Sequence, residues 1–333
     1  MIHRKGLLAA SAGIFMLANI CLLNSGCNKS AQVFTSEQHD SILDEMLEVN
    51  PQEALSWADS MENAKAESEV RLAFYRAKIY NELGKKQTAE EWCDKAMEGD
   101  QLLEECPELY YGAVDIKCRI QTYKDEFEKA LETAQMGFEA SRADTSPEGL
   151  QWTAVLLHSV GYCQMQLGNV EVAENSFSQA YIALKQLANS CPNYDNLHTY
   201  ARVSYNILDA YTSTGQLDKA SAWVPSTEEA VLEFVSSPEC PEDEKVDYLG
   251  GLTMQKALIY VQTDRREEAD ALYDDVLDTD YAETALGVLE RCSYLEKAGR
   301  YDDITEMMPL IDSVATNWGT PATFAHLEKY RKD

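Results

Sequence analysis

The chain has 333 residues, 45% of them apolar, and carries 57 acidic against 28 basic side chains, a formal net charge of −29. Such a balance excludes nucleic acid and bare anionic lipid surfaces as partners, because both are bound through basic side chains that displace counterions. Only 16 Gly and nine Pro speak for helices over a turn-rich β fold, and the length suits one extended domain or two compact ones.

Residues 1–30, MIHRKGLLAASAGIFMLANICLLNSGCNKS, differ in kind from the rest of the chain. Arg4 and Lys5 precede an apolar run from Gly6 to Leu23, and small residues lead to Cys27. A basic start, an apolar middle and a small-residue exit mark a secretory signal. Ser25-Gly26-Cys27 resembles the lipobox of bacterial lipoproteins, whose cysteine is acylated and becomes the mature N-terminus. Asn24 departs from that pattern, since the usual Leu stands one place earlier as Leu23. The resemblance implies a signal peptide over 1–26, lipidation (palmitate) at Cys27, a flexible tether over 27–36, and a lipid-anchored protein of the bacterial cell envelope facing the periplasm or exterior. The 18-residue run also suits an uncleaved signal anchor, being near the lower length for a membrane span, and ordinary cleavage nearby would give plain secretion. No later segment is as long and apolar, so none is expected to cross a membrane.

From about residue 37 the chain repeats itself. Around Gly84, small or bulky apolar residues stand seven before (Ala77), four before (Tyr80), and five, nine and twelve after (Ala89, Cys93, Ala96). The same offsets from Gly168 give Gly161, Gln164, Ala173, Phe177 and Ala180; from Gly215 they give Leu208, Tyr211, Ala220, Val224 and Thr227; from Asp264, Ala257, Tyr260, Ala269, Tyr273 and Val276. Weaker copies centre on Asp125 and Gly299. Small residues let two antiparallel helices approach, bulky ones fill the space between neighbouring pairs, and Gly at the turn permits a left-handed backbone. The series resembles the tetratricopeptide repeat (TPR) family over roughly residues 65–312, with an earlier helical pair at 37–64. The resemblance implies an all-α fold over 37–333, a right-handed α-solenoid of six to seven antiparallel helix pairs with a concave face lined by first helices. The turn residues are 41, 43, 47, 49 and 35 apart, mostly longer than the usual period of about 34.

ECPE occurs at residues 105–108 and again at 239–242, with SCPN at 190–193. Pro107, Pro147, Pro192, Pro241 and Pro321 each follow a small residue and recur at similar distances after the turns. Pro suits the first helical position and a small polar residue before it suits the cap, so the Cys-Pro pairs read as helix-start signals, and serine at 106 or 240 is expected to be nearly neutral. Beyond Cys21 and Cys27, seven cysteines remain, none in CxxC spacing, and the five His are scattered. Neither a zinc site nor a set of catalytic partners is legible, and HExxH, GxSxG and Gly-rich phosphate loops are absent from the sequence. The expectation is a non-enzymatic protein with no cofactor and no metal.

If first helices line the groove, the residues beside the packing positions face a ligand: Arg71, Phe74, Lys78 and Asn81, then Asp115 and Arg119, His158 and Tyr162, and Arg202, Tyr205 and Asp209. Four bases among them suit a protein or peptide partner bearing carboxylates; equally, they suit solvated helix faces paired with nearby acids. The reading is a protein- or peptide-binding scaffold. Two alternatives stand beside it: an extracytoplasmic sensory module resembling the TPR regions of histidine-kinase systems, and a glycan-binding helical lipoprotein. The closing stretch TPATFAHLEKYRKD reads as one more first helix.

Overall fold

The computed structural model describes residues 35–317 and Leu327; the signal region, Cys27 and Pro321 lie outside them. Among the described residues all regular structure is helical: α1 (Ser36–Val49), α2 (Pro51–Ala64), α3 (Glu69–Glu82), α4 (Lys86–Ala96), α5 (Gln101–Glu105), α6 (Pro107–Tyr123), α7 (Phe127–Ser141), α8 (Pro147–Gln166), α9 (Val170–Ser190), α10 (Tyr194–Ser213), α11 (Leu217–Val235), α12 (Glu242–Gln262), α13 (Arg266–Leu277), a 3₁₀ turn η1 (Asp280–Glu283), α14 (Ala285–Ala298), α15 (Tyr301–Glu306) and α16 (Met308–Asn317). The chain divides into two compact units, residues 1–133 and 134–333. Within the first, α1 packs on α2, α3 on α4, and α6 on both α3 and α4. Within the second, α8–α9, α10–α11 and α12–α13 form consecutive pairs, α8, α10, α12 and α14 pack in succession, and α15 and α16 close against α14. This is the all-α helix-pair architecture of a solenoid-type repeat protein.

One local device makes the pairs. All six turn residues expected from the sequence have left-handed backbones: Gly84, Asp125, Gly168, Gly215, Asp264 and Gly299, with φ from 58° to 81°. In each, the next residue's N–H donates back to a carbonyl five places earlier: Lys85 to Tyr80, Glu126 to Gln121, Asn169 to Gln164, Gln216 to Tyr211, Arg265 to Tyr260 and Arg300 to Leu295, at 2.8–3.0 Å. That bond satisfies an orphan carbonyl at the helix end and reverses the chain. Asp serves at 125 and 264 because its short polar side chain tolerates the left-handed region better than most.

The residues at the repeating offsets form the core. Ala77, Ala89, Cys93, Ala96, Ala173, Phe177, Ala180, Leu208, Ala220, Ala257, Ala269 and Cys292 are fully buried. Phe177 lies so close to α8 that a Cβ added at Gly161 would meet its ring at 2.7 Å; the small residue seven before the turn is there to admit the bulky one nine after it.

The Cys-Pro pairs are less uniform than their sequence. Pro107 and Pro147 open α6 and α8 at the first turn, with Cys106 and Ser146 as caps, and Ser146 accepts from the Gly149 N–H. Pro192 lies before the cap, which is Asn193, and Pro241 is itself the cap of α12, leaving Cys240 one place outside. Cys240 is 5% exposed within the core of the second unit, so serine there is no longer expected to be neutral. Cys106→Ser adds a capping hydroxyl and should leave stability unchanged or raise it by up to about 1 kcal/mol, whereas Cys240→Ser buries a hydroxyl and should cost about 1–2 kcal/mol; urea denaturation of the two variants separates the outcomes. Among the described residues the seven cysteines from Cys93 onward form no disulfide.

Candidate functional site

The eleven residues expected to line a groove fall into two groups. In the first unit, Arg71 is 8% exposed and faces the acids of α1. It pairs with Asp40, donates from Nε to the Tyr75 hydroxyl at 3.0 Å, and lies 3.6 Å from Glu67; Tyr75 in turn donates to Asp40 at 2.7 Å. Glu67 also contacts His39 Nδ1 at 2.5 Å and accepts from the Ser36 hydroxyl at 3.0 Å. Phe74 is buried beside Tyr75, Lys78 pairs with Asp44, and Asn81 accepts from Lys86. These groups tie α1, α3 and α4 together. Asp115 and the exposed Arg119 pair one turn apart on α6 at 3.3 Å. The sequence places α1 correctly but does not show that its Asp40 and Asp44 cover this face of α3.

In the second unit the expected residues cluster on the first helices. His158 and Tyr162 are on α8, and Arg202, Tyr205 and Asp209 on α10. His158 is 9% exposed, stacks on Phe177 with centroids 5.8 Å apart, and its Nε2 is buried with no hydrogen-bond partner. Burial, and then the positive charge of Arg202, push its pKa down to about 3, so the ring is neutral. The same two causes, burial first, lower His198, one turn before Arg202. His198 stacks on Tyr194 at 5.5 Å and meets Tyr248 of α12 edge-on at 5.9 Å. Arg202 itself is half-buried, and among the described residues no carboxylate forms an ion pair with it. Register explains why Arg202 adjoins His158: one pair further on, the equivalent positions are Tyr205 and Gly251, and a Cβ at Gly251 would lie 2.8 Å from the Tyr205 hydroxyl. An arginine with no ion-pair partner among the described residues thus lies close enough for its charge to act on His158 and His198, both packed against aromatic rings.

Tyr205 and Asp209 point the other way along the stack, into a polar cluster the sequence does not announce. Tyr205 donates to Glu290 Oε1 at 2.6 Å, Gln255 Nε2 donates to Glu290 Oε1 and to Asp209 Oδ1 at 3.0 Å each, and Tyr281 donates to Glu290 Oε2 at 2.6 Å. The signal for it was the pair Gly250-Gly251 inside α12. A Cβ at Gly250 would stand 2.3 Å from the Tyr281 ring, so the two glycines form the slot through which both tyrosines reach Glu290.

No family model matches the chain, and no curated protein matches it significantly. Several solved structures have a similar fold. BtubC (BKLC) from P. vanneervenii superposes with a TM-score of 0.51 at 17% identity, covering 69% of this chain and 89% of that one. A Rap protein complexed with competence and sporulation factor superposes with a TM-score of 0.51 at 16% identity, covering 89% of this chain and 76% of that one. At these identities the likeness speaks to fold alone, and it agrees with the all-helical repeat architecture described above.

Among the described residues no helix is long and apolar enough to cross a membrane, and no group of His, Cys, Asp or Glu is arranged to hold a metal ion. A groove of about 320 Å³ lined by Phe138, Leu150, Leu157 and Ala183 also includes Arg142, but that side chain pairs with Glu139 at 3.0 Å. On the first-helix face of the second unit, Arg202 has no ion-pair partner among the described residues.

Proposed function

We propose that this protein is a non-catalytic, TPR-like scaffold that holds an acidic segment of a partner protein against the first-helix face of its second unit, and that an acylated Cys27 anchors it at a bacterial envelope. The observation that carries the ligand reading is a half-buried Arg202 that lacks an acid partner among the described residues, on a face lined by His198, Tyr194 and Tyr248. A partner carboxylate paired with the half-buried Arg202 guanidinium would gain a charge-assisted hydrogen bond. One guanidinium and one neutral imidazole match a single negative charge. The chain's net charge repels an acidic segment at a distance, but salt near 0.1 M screens that field within about 10 Å, which leaves recognition to contact. The Rap protein's complex with competence and sporulation factor supports capture of a partner by this fold, and the signal-like residues 1–26 with Ser25-Gly26-Cys27 support the anchor.

Fluorescence anisotropy against labelled peptides rich in Asp and Glu, and their Asn and Gln counterparts, tests the ligand class. The acidic set should bind, and Arg202→Gln should weaken it by about tenfold to a hundredfold, in keeping with the loss of one charge-assisted pair. Equal binding of both peptide sets, or normal binding by Arg202→Gln, defeats the reading. Palmitate labelling lost in Cys27→Ala would support the anchor; labelling unchanged by that substitution removes it.

A further inference from the structure

The cluster around Glu290 is independent of the ligand site just described. Glu290, on α14, is 7% exposed, and its carboxyl is the meeting point of three other elements: Tyr205 from α10, Gln255 from α12 and Tyr281 from η1. Asp209 of α10 accepts from the same Gln255 amide. Two carboxyl groups are thereby joined through one amide inside the second unit, and among the described residues no basic side chain forms an ion pair with either. The nearest base in sequence, Arg291, is turned away and donates to the Ala282 carbonyl at 2.8 Å. Gln255 Oε1 is buried with no partner, so the cluster also holds acceptor capacity that a carboxyl proton could use.

Two buried carboxylates without a countercharge repel each other and forfeit hydration, and the ordinary relief is to keep a proton. We propose that the Glu290 carboxyl is a proton-operated latch: while it holds its proton, α14 and η1 are locked onto α10 and α12, and loss of the proton loosens that end of the second unit.

The groups facing Glu290 act in one direction on balance. Burial raises its pKa and outweighs the Tyr205, Tyr281 and Gln255 hydrogen bonds that lower it, with the Asp209 charge adding to the rise, and the result is about 7. Asp209 is also raised, by burial, against the Gln255 bond. Tyr205 and Tyr281 are pushed up, both by burial first and then by the Glu290 charge, and remain hydroxyl donors. Asp247 of α12, whose charge reaches Tyr281, is raised by burial and by Asp243 and Glu244. In the unfolded chain Glu290 titrates near 4.5. Between about 4.5 and about 7 the folded state therefore binds more protons than the unfolded one, and stability falls as pH rises through that window. Above it the buried carboxylate is ionised and has no countercharge, and the latch is open. Tyr205 lies one turn from Arg202 on α10, so the titration acts on the helix that carries the proposed ligand site, although the latch does not depend on that reading.

Hydrogen–deuterium exchange of the full chain at pH 5.5 and pH 8.5, corrected for intrinsic exchange, tests the latch. In the wild type, opening of α14 and η1 should become roughly tenfold or more easier at the higher pH. Glu290→Gln imitates the protonated acid in shape and donor capacity, and should abolish most of that difference while keeping the low-pH protection. Asp209→Asn should reduce the pH effect without removing it. If Glu290→Gln opens at pH 5.5 as the wild type does at pH 8.5, that variant has disrupted packing, and Glu290→Met then decides: a wild-type pH response kept without the carboxyl counts against the latch. A wild type with equal opening at both pH values, or a Glu290→Gln variant with the wild-type response, overturns the proposal.

Discussion

Gly287→Ala should be among the most damaging single substitutions in the second unit. A Cβ at this position would stand 1.9 Å from the Tyr281 carbonyl oxygen, a backbone atom with no rotamer through which to retreat. Relief requires η1 to move off α14, which withdraws the Tyr281 hydroxyl from Glu290. Overpacking of this kind costs about 1–3 kcal/mol and occasionally more, and the lost hydrogen bond to a buried carboxyl adds about 1–3 kcal/mol. The expected result is a lower urea midpoint, corresponding to a loss of several kcal/mol of stability. Gly84→Ala serves as the control: its added Cβ would meet nothing within 4 Å, and its cost is limited to the left-handed backbone, about 1 kcal/mol. Equal losses from the two variants would show that the contact with Tyr281 does not constrain the fold.

The second large effect is expected at Arg71. Replacing it with Met keeps the apolar stem and removes the charge that Asp40 and Glu67 share. Glu67's side chain is 4% exposed, so its charge cannot turn to water. Removing one partner of a buried ionic group costs about 3–5 kcal/mol when the other is left alone; here Glu67 keeps His39 and Ser36 and Asp40 keeps Tyr75, so the expected loss is about 2–3 kcal/mol. Arg202→Met, by contrast, deletes a guanidinium that no carboxylate holds, and should leave thermal stability within about 0.5 kcal/mol of the parent. Differential scanning calorimetry of the two variants distinguishes an arginine that joins helices from one available to a ligand; comparable destabilisation in both would place Arg202 in the packing.

The sequence made the repeat legible because its signals are local. Left-handed turns at Gly84, Asp125, Gly168, Gly215, Asp264 and Gly299, and alanines at fixed offsets from them, are consequences of steric contacts inside one helix pair. Each pair announces itself without reference to the rest. The site was read less well because it depends on neighbours about 30 to 90 positions away. Arg71 and Arg202 occupy equivalent places in their pairs, and only the acids of α1 make the first a structural residue. Nothing in the sequence sets Glu290 apart among the 57 acidic side chains, since its partners Tyr205, Gln255 and Tyr281 reach it from three other elements. Even the Gly250-Gly251 pair, a visible weakness inside a helix, does not by itself say which rings it admits. The Cys-Pro pairs erred in the opposite direction, being identical in sequence and different in place.

Cys191 is the one cysteine classed as exposed among the described residues, whereas Cys93, Cys118, Cys163, Cys240 and Cys292 are buried. Burial, the leading cause, pushes the thiols of Cys93 and Cys292 up to about 12, and only the thiolate reacts. The molecule therefore carries a built-in clock for its own opening. An alkylating reagent would mark Cys191 at once, and would mark Cys93 or Cys292 only as fast as the first or the second unit exposes its interior. Mass spectrometry of the labelled peptides would then time the two units separately in one sample, with no substitution made.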